Sequence, residues 1–469
     1  MRDATREDLL TTLEPVHRVP SYDEAVRALL SLGRELATPR QATVQKFGLG
    51  NITALAERLG NPQRTCPSVH IAGTNGKGST AAMLESILRT AGLRTGLYTS
   101  PHLARINERI RLSGNNIGDE EFAAAWAQVQ AAAESLLAAG VLASHPTFFE
   151  CVTAMAFQVF AGRRAEFAVY EVGLGGRLDA TNVVRPLVAI LTAIDFDHEN
   201  FLGHSIEAIA AEKAGIIKPD CSVVSTNERP EACRVIARRC AEVEAPLLEL
   251  DTVWDVGEIA SLGGCYSAVA HSRHFGVGLE IAPRLPGRFQ IRNALGAATA
   301  ALLLAEAGYP LSAEAIQHGI AAAEWPGRME QICAHPAIYV DGAHNPGGAR
   351  ELARFWDDNF AGRKIVLVYG AMRDKAIGEI AEQLFPRAAS VIFTQARQPR
   401  AISPSLLREM TGDLAPRSEV VPDPAGALER AIEISGPEDV IFATGSLYLV
   451  GDLKSHWSGR SIALPEVQA

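Results

Sequence analysis

The stretch Ser68-Val-His-Ile-Ala-Gly-Thr-Asn-Gly-Lys-Gly-Ser-Thr80 restricts what this chain can fold into more than any other. Ser68 to Ala72 reads as a short apolar strand, Gly73 to Gly78 as a glycine-rich turn, and Ser79 to Thr90 as a helix stopped by Gly92. Glycines let successive backbone N–H groups point into one concavity, and the helix N-terminus adds roughly half a positive charge. Strand, turn and helix together make a phosphate cradle over Gly73, Thr74, Asn75, Gly76, Lys77, Gly78, Ser79 and Thr80. Lys77 supplies a cation for the outer phosphates, and the Ser79 or Thr80 hydroxyl can reach a magnesium ion. The motif is a shorter variant of the usual P-loop. Ile71 stands where that pattern has a glycine, and Gly78, not Ser or Thr, follows Lys77. The competing reading is a strand-to-helix turn that merely needs glycine.

A chain of 469 residues exceeds one ordinary core and suits two or three domains. A net charge of −10 argues against general nucleic-acid binding and against an anionic membrane surface. Any anionic substrate must therefore meet local positive groups, not a global field. The seven cysteines are an odd number without a C-x-x-C pair, which argues against a disulfide framework or a structural zinc and for a reduced, cytoplasmic setting. The N-terminus has no apolar signal core, and runs such as Ser135 to Ala143 are too short to span a bilayer.

Taken in order, residues 1–67 form a leader with helices expected at Tyr22 to Leu36 and Ile52 to Leu59. After the cradle, strands are expected at Arg94 to Tyr98, Glu166 to Glu171 and Leu187 to Ile194. Ile106 to Leu112 continues the segment after Ser100, and helices are expected at Asp119 to Ala139, Phe148 to Ala161, Ser205 to Ala214 and Asn293 to Glu306. Residues 245–290 break into short β-like runs and suggest a small antiparallel patch. Trp325-Pro-Gly327 punctuates the chain, and the domain boundary is placed there, giving 1–323 and 324–469. Strands at Ile338–Val340, Lys364–Tyr369, Val391–Thr394 and Val440–Ala443 then alternate with helices. The expected fold is α/β: a P-loop-type, mostly parallel sheet domain with a small antiparallel patch, followed by a smaller Rossmann-like α/β domain.

Polar groups gather at expected strand ends and helix starts: Ser79, Ser100, Glu171, His198 and, on a helix, Lys213. Ser79, Ser100 and Glu171 offer the oxygen ligands that magnesium prefers. His198 is an unusual magnesium ligand and reads equally well as structural. Lys213 reads first as a solvated helix charge, although Glu212, being adjacent, does not share its face. In the second domain Asp341 can accept from a ribose, His344 precedes the turn-forming Asn345-Pro346, and Arg328 sits at the linker within reach of phosphates. Each also reads as a turn-former or surface charge.

Seven stretches then resemble one family: G-T-N-G-K-G-S-T at 73–80, T-S-P-H-L at 99–103, R-I-N-E-R-I at 105–110, E-V-G-L-G-G-R-L-D-A-T-N at 171–182, E-K-A-G-I-I-K at 212–218, D-G-A-H-N-P at 341–346 and T-G-S-L-Y-L-V at 444–450. Together they look like folylpolyglutamate synthase/dihydrofolate synthase, a branch of the Mur ligase superfamily. The resemblance implies ATP-dependent ligation of L-glutamate to dihydropteroate or to the γ-carboxylate of a reduced folate, through an acyl phosphate. It implies ATP at the cradle, with Asn293 at the adenine, Arg328 at the phosphates and Asp341 at the ribose. It implies two magnesium ions, one at Ser100 and Glu171 and one at Glu171, His198 and a carbamylated Lys213, and a monovalent cation such as potassium. His344 and Ser446 would lie near the glutamate and acyl phosphate, with Lys77, Lys213 and His344 catalytic. Thr147, Phe148 and Asp179 would line the pterin pocket. A monomer acting on small molecules, with neither nucleic-acid nor membrane partner, completes the expectation. Two stretches depart from the family: Gly50-Asn51 within Lys46–Ile52, and Leu285-Pro-Gly-Arg288.

Two rival readings stand beside this. A Mur-type peptidoglycan ligase would carry a sizeable nucleotide-sugar domain before the loop, where this chain has a short leader. A P-loop switch that makes no bond would not need a second α/β domain with its own polar loop ends.

Overall fold

The computed structural model describes residues 19–33, 48–415 and 417–461. Lys46, Phe47 and the end of the helix expected to reach Leu36 lie outside those residues.

An eight-stranded sheet organises the first part. Its strands are β1 (Ser68–Ala72), β2 (Thr95–Tyr98), β3 (Ile110–Leu112), β4 (Asn115–Asn116), β5 (Phe167–Glu171), β6 (Val188–Leu191), β7 (Ser222–Ser225) and β8 (Leu247–Glu249). They run in the order β4-β3-β2-β5-β1-β6-β7-β8, with β3 and β4 antiparallel and the rest parallel. Both faces of the parallel part are covered, so the strands read as continuous apolar runs. Val69, Ile71, Phe167, Val169, Val188 and Ile190 pack on one side with the helices Lys77–Thr90 and Phe289–Glu306. Ala168 and Tyr170, or Ala72, Ala189 and Leu191, pack on the other.

A four-stranded antiparallel sheet follows, β9 (Asp255–Val256), β10 (Ala260–Leu262), β11 (Cys265–Ser272) and β12 (Val277–Ile281). The patch expected over 245–290 therefore starts later. Leu247–Glu249 pairs parallel to β7 and belongs to the large sheet, because its side chains meet that sheet's core.

The last six strands form a second sheet: β13 (Glu330–Cys333), β14 (Ala337–Val340), β15 (Ile365–Tyr369), β16 (Ser390–Phe393), β17 (Ser418–Val420) and β18 (Val440–Thr444). Their order is β13-β14-β18-β15-β16-β17, parallel except for β13. Sequence reading missed β7 in the large sheet and, here, β13 and β17, which are short edge strands without a continuous apolar run. The other expected strands lie within about three residues of their observed ends. The segment Ile106 to Leu112, to which no element was assigned, splits into a 3-10 turn (Ile106–Arg109) and β3. The helices begin at Lys77 and Phe289, earlier than Ser79 and Asn293, and the first helix ends at Ser31. All seven cysteines are free. Among the described residues no helix is long and apolar enough to cross a membrane.

Candidate functional site

The carboxyl ends of β1, β5 and β6, adjacent at the centre of the large sheet, bring three loops together. The first is the glycine turn. Gly76 caps the helix Lys77–Thr90 at φ +88, a left-handed conformation, and any Cβ there would meet the Asn293 amide, whose Cγ would lie at 3.1 Å. The backbone donors narrow relative to expectation. The N–H groups of Thr74 and Asn75 both donate to the Ala193 carbonyl, at 2.8 and 3.1 Å. Among the described residues the donors left for an anion include those of Gly76 at the N-cap and of the first helical turn, Lys77, Gly78 and Ser79, which have no intrahelical acceptor. The Thr74 hydroxyl donates to the Asp195 carbonyl at 3.0 Å. Ser79 accepts from Gln290 Nε2 at 3.4 Å, whereas Thr80 is fully buried with an unpartnered hydroxyl.

Two lysine amines converge on one backbone oxygen. Lys77 Nζ donates to the carbonyls of Gly73 and Thr74, at 3.0 and 3.1 Å. Lys213 Nζ, on the helix Ile206–Ala214, donates to the same Gly73 carbonyl at 2.8 Å. Lys213 is buried, not solvated, and Glu212 points away to pair with Arg177 at 2.8 Å. Loss of solvent, and then the charge of Lys77, bring the Lys213 amine down to about 7. Lys77 is also pushed below its ordinary value by desolvation.

Glu171 closes β5 and is buried. Among the described residues its one hydrogen bond comes from Ser100 N–H, at 3.3 Å. Desolvation raises its carboxyl, and the positive charges of Lys77, Arg328 and Arg109 offset part of that. Asp179 has all its capacity in use: Gly173 and Leu174 N–H at 3.0 and 2.9 Å, and Thr181 N–H and hydroxyl at 3.0 and 2.5 Å. It shapes the glycine turn after β5, and that turn lies against Phe149, the neighbour of Phe148. Thr147 caps the helix Phe148–Gly162 and accepts from Glu150 N–H, and the Phe148 ring lies under the Arg109 guanidinium at 5.2 Å.

The third loop, Asp195-Phe-Asp-His198, reaches the second sheet. Asp197 Oδ1 accepts from Lys375 Nζ at 2.6 Å, and Oδ2 lies 3.3 Å from Asn345 Nδ2 and 3.5 Å from His344 Nε2. Burial would raise the Asp197 carboxyl, but the hydrogen bond with His344 and the charge of Lys375 hold it well below its ordinary range. Asp195 pairs with Arg229 at 2.7 Å and with Arg350. Asn75 in the glycine turn exchanges two side-chain hydrogen bonds with Asn345, at 3.2 and 2.9 Å. His198 adopts φ +50 and turns to the same cluster, with Nε2 3.5 Å from Lys375 Nζ and Nδ1 4.0 Å from Asp374. Burial lowers it to about 4, so the imidazole is neutral at pH 7.

The second sheet contributes its own strand ends. Asp341 follows β14 and is engaged by Met329 N–H at 2.9 Å and Ala343 N–H at 2.8 Å. His344 Nδ1 donates to the Gly342 carbonyl at 2.7 Å. Ser446, after β18, accepts from Tyr448 N–H at 3.1 Å. Asn293 Nδ2 donates to Gln290 at 2.9 Å. Among the described residues no three His, Cys, Asp or Glu side chains gather as a ready metal cage. Sequence reasoning missed Asp195, Asp197, Asn345, Arg350 and Lys375. The available signal was that each lies in, or just past, a loop that follows a strand.

Two family descriptions match the chain, the Mur ligase middle domain over residues 71–301 and the Mur ligase glutamate ligase domain over residues 327–447. The dihydrofolate synthase/folylpolyglutamate synthase of Bacillus subtilis is 36% identical over 418 residues, covering 87% of this chain and 94% of that protein. The folylpolyglutamate synthase of Mycobacterium tuberculosis, solved with ADP and AMPPCP, superposes with a TM-score of 0.83 at 31% identity over 92% of this chain and 99% of its own. Escherichia coli FolC, solved with DHPP and ADP, gives 0.82 at 28% identity over 94% and 100%.

Proposed function

The chain belongs to the folylpolyglutamate synthase/dihydrofolate synthase branch of the Mur ligases, and from that premise we propose that it joins L-glutamate to dihydropteroate and to the γ-carboxylate of reduced folates, converting ATP to ADP and phosphate. The observation that carries the reading is the contact between the phosphate cradle and the second domain. Asn75 and Asn345 hold each other at 3.2 and 2.9 Å, so the loop that would hold the phosphoryl donor abuts the His344 loop that would receive the amine. A switch that only binds nucleotide has no need of that juxtaposition. The boundary between the two domains is placed at 323/324, beside the Trp325–Arg328 linker.

The chemistry begins with a charge problem. A carboxylate approaching a triphosphate meets a repulsion of roughly 4 kcal/mol per unit pair at 4 Å and an effective dielectric of 20. Lys77, Arg328 and the first-turn N–H groups face that charge and stabilise it in the transition state. The substrate carboxylate oxygen bonds to the γ-phosphorus and ADP leaves. The glutamate amine then bonds to the acyl carbon, phosphate leaves, and the amine's surplus proton is released. His344 and Ser446 lie on the side from which glutamate arrives. Thr147, Phe148 and the turn that Asp179 shapes bound the pterin side, while Asn293 and Asp341 meet adenine and ribose.

Magnesium fits the donors present. Glu171 is a buried carboxylate with a single hydrogen bond, the hydroxyls of Ser79 and Ser100 are oxygen donors, and His198 is neutral. Bound there, magnesium would supply phosphate charge neutralisation. Lys213, with an amine near 7, is suited to capture carbon dioxide: the ammonium gives up one proton, the N–C bond forms as one C–O π bond opens, a second proton leaves the nitrogen, and a cation has become an anionic oxygen ligand that would serve a second ion. A potassium ion, a monomeric state and a reducing cytoplasmic setting, which suits seven free thiols, complete the proposal.

The test is ADP release with magnesium, ATP and L-glutamate, offering dihydropteroate and a reduced folate separately. Release with both acceptors is the expected result. Release with one names the specificity, and glutamate-independent hydrolysis with neither would overturn the assignment.

A further inference from the structure

The helix Leu447–Ser461 carries a glycine at position 451, inside its first two turns, although glycine weakens a helix interior relative to alanine. The reason is outside the helix. A Cβ on Gly451 would overlap the Leu103 carbonyl oxygen and lie 2.8 Å from its carbonyl carbon. The backbone of a first-domain loop therefore rests directly on a second-domain helix, and only glycine permits it.

Leu103 stands three residues beyond Ser100. Its backbone is preformed: Leu103, Ala104 and Arg105 N–H all donate to the Glu108 carboxylate, at 2.7, 3.1 and 2.8 Å. Its side chain packs into the second domain's core cluster beside Val450. It also touches the linker, since a Cβ on Gly327 would lie 3.1 Å from both Leu103 methyls. Gly327 precedes Arg328, its N–H donates to Glu330 at 2.7 Å, and Glu330 pairs with Lys454 on the same helix at 2.6 Å. Three pieces of the site thus meet at one point. Ser100 lies three residues before Leu103 on the same loop, Arg328 is the next linker residue, and Ser446 immediately precedes the helix.

We propose that Leu103, seated on Gly451 and Gly327, is a positioning residue that registers the metal-binding and phosphate-binding half of the site against the half that receives glutamate. The proposal rests on the ligase reading above. Leu103 touches no reacting atom. It fixes how Ser100 and Glu171 are set relative to Arg328 and Ser446, and displacements of about 1 Å in such a site can cost roughly a hundredfold in rate.

Gly451→Ala separates this from a general structural role. By helix propensity the added methyl favours the helix, so the cost of the overlap falls on the Leu103 contact and not on the helix itself. By the packing it must push Leu103 away. Two readouts are taken on the full-length protein. Hydrogen exchange without substrates reads docking at residues 100–105 and 447–455. ADP release against magnesium concentration reads the site. Faster exchange in both segments, turnover lower by about tenfold or more and a higher magnesium requirement are expected. Leu103→Ala should behave alike and Leu103→Met should recover most of the loss. Ser100→Ala should raise the magnesium requirement without changing exchange at 447–455. Wild-type turnover and magnesium dependence in Gly451→Ala would overturn the proposal, as would lost turnover with unchanged exchange. A wild-type enzyme that releases no ADP would instead overturn the ligase reading, with exchange still reporting whether Leu103 docks.

Discussion

Asp197 and Lys375 form a buried ion pair across the contact between the two domains. Their atoms lie 2.6 Å apart with side chains 9% and 8% exposed. At an effective dielectric of 20 that separation corresponds to roughly 6 kcal/mol of Coulomb attraction, an upper figure from which desolvation must be subtracted. Removing one member of a buried pair typically costs about 3–5 kcal/mol, because the other charge is left unpaired. Asp197→Asn keeps the shape and removes the charge. Asp374, 3.9 Å from Lys375, relieves part of the loss, which places the expected cost near the lower value, about 3 kcal/mol. The two residues lie on loops from different sheets, so the cost falls on docking of the domains, not on either core. A penalty of 3 kcal/mol is a factor of about 150, and turnover is expected to drop by about two orders of magnitude. Steady-state ADP release by Asp197→Asn, Lys375→Met and the double variant measures this as a cycle. The double variant should recover part of the loss, since neither charge is then stranded. Single variants within about twofold of wild type, or a double variant worse than the sum of its parents, would refute the reasoning.

Lys213→Ala is expected to lower turnover by orders of magnitude with no rescue by added bicarbonate, and near-normal activity in that variant would sink the carbamate. Lys77→Ala should abolish ADP formation while circular dichroism and melting stay close to wild type; unchanged ATP turnover would show that the cradle is only a turn. His70 is fully buried, with Nε2 2.7 Å from the Thr181 hydroxyl and Nδ1 unpartnered, and burial holds it well below its ordinary 6.5. As pH falls through 6.5 the unfolded chain takes up a proton that the folded chain refuses, so stability declines by at most about 1.4 kcal/mol per unit from this residue. His70→Gln should flatten that acid limb in urea titrations between pH 6.5 and 5, and an identical slope would mean His70 is protonated in the folded protein.

The cradle was legible because strand, turn and helix are contiguous: periodicity and glycine placement say where the donors lie without any long-range contact. The same holds for Ser100, Glu171 and Asp341, each at or just past the end of a recognisable strand. What stayed hidden depends on pairings across the fold. Lys375 is 178 residues from Asp197, and Asn345 is 270 residues from Asn75. Each reads locally as a turn residue or a surface charge, and only the packing of one sheet's loops on the other's makes it anything else. Lys213 shows the reverse case. The sequence favoured a solvated lysine, and burial between the helix Ile206–Ala214 and the Gly73 carbonyl overrode it. Gly451 belongs with the hidden set, because nothing within its helix explains a glycine there.

The charges around Lys77 bear on the proposed carbamate independently of the family. Lys77 and Lys213 share the Gly73 carbonyl, and Lys77 alone has a second acceptor, the Thr74 carbonyl, so the desolvation of the Lys213 ammonium is the less well compensated. Loss of solvent and the Lys77 charge bring the Lys213 amine down to about 7, so it gives up its proton far more readily than an ordinary lysine. A neutral amine there leaves Glu171 and Asp197 facing Lys77, Arg328 and Lys375, a surplus of positive charge in a pocket meant for a triphosphate. Magnesium would add to that surplus and would find one buried carboxylate, Glu171, and a neutral histidine as its principal ligands. A carbamate on Lys213 changes this: it removes the competing amine, adds an anionic oxygen pair beside Lys77, and gives a second divalent ion a reason to bind. Under the proposed carbamate, modification and metal loading would support each other, because each would lower the electrostatic cost of the other, and the loss of either would weaken the other before nucleotide binding at the helix N-terminus.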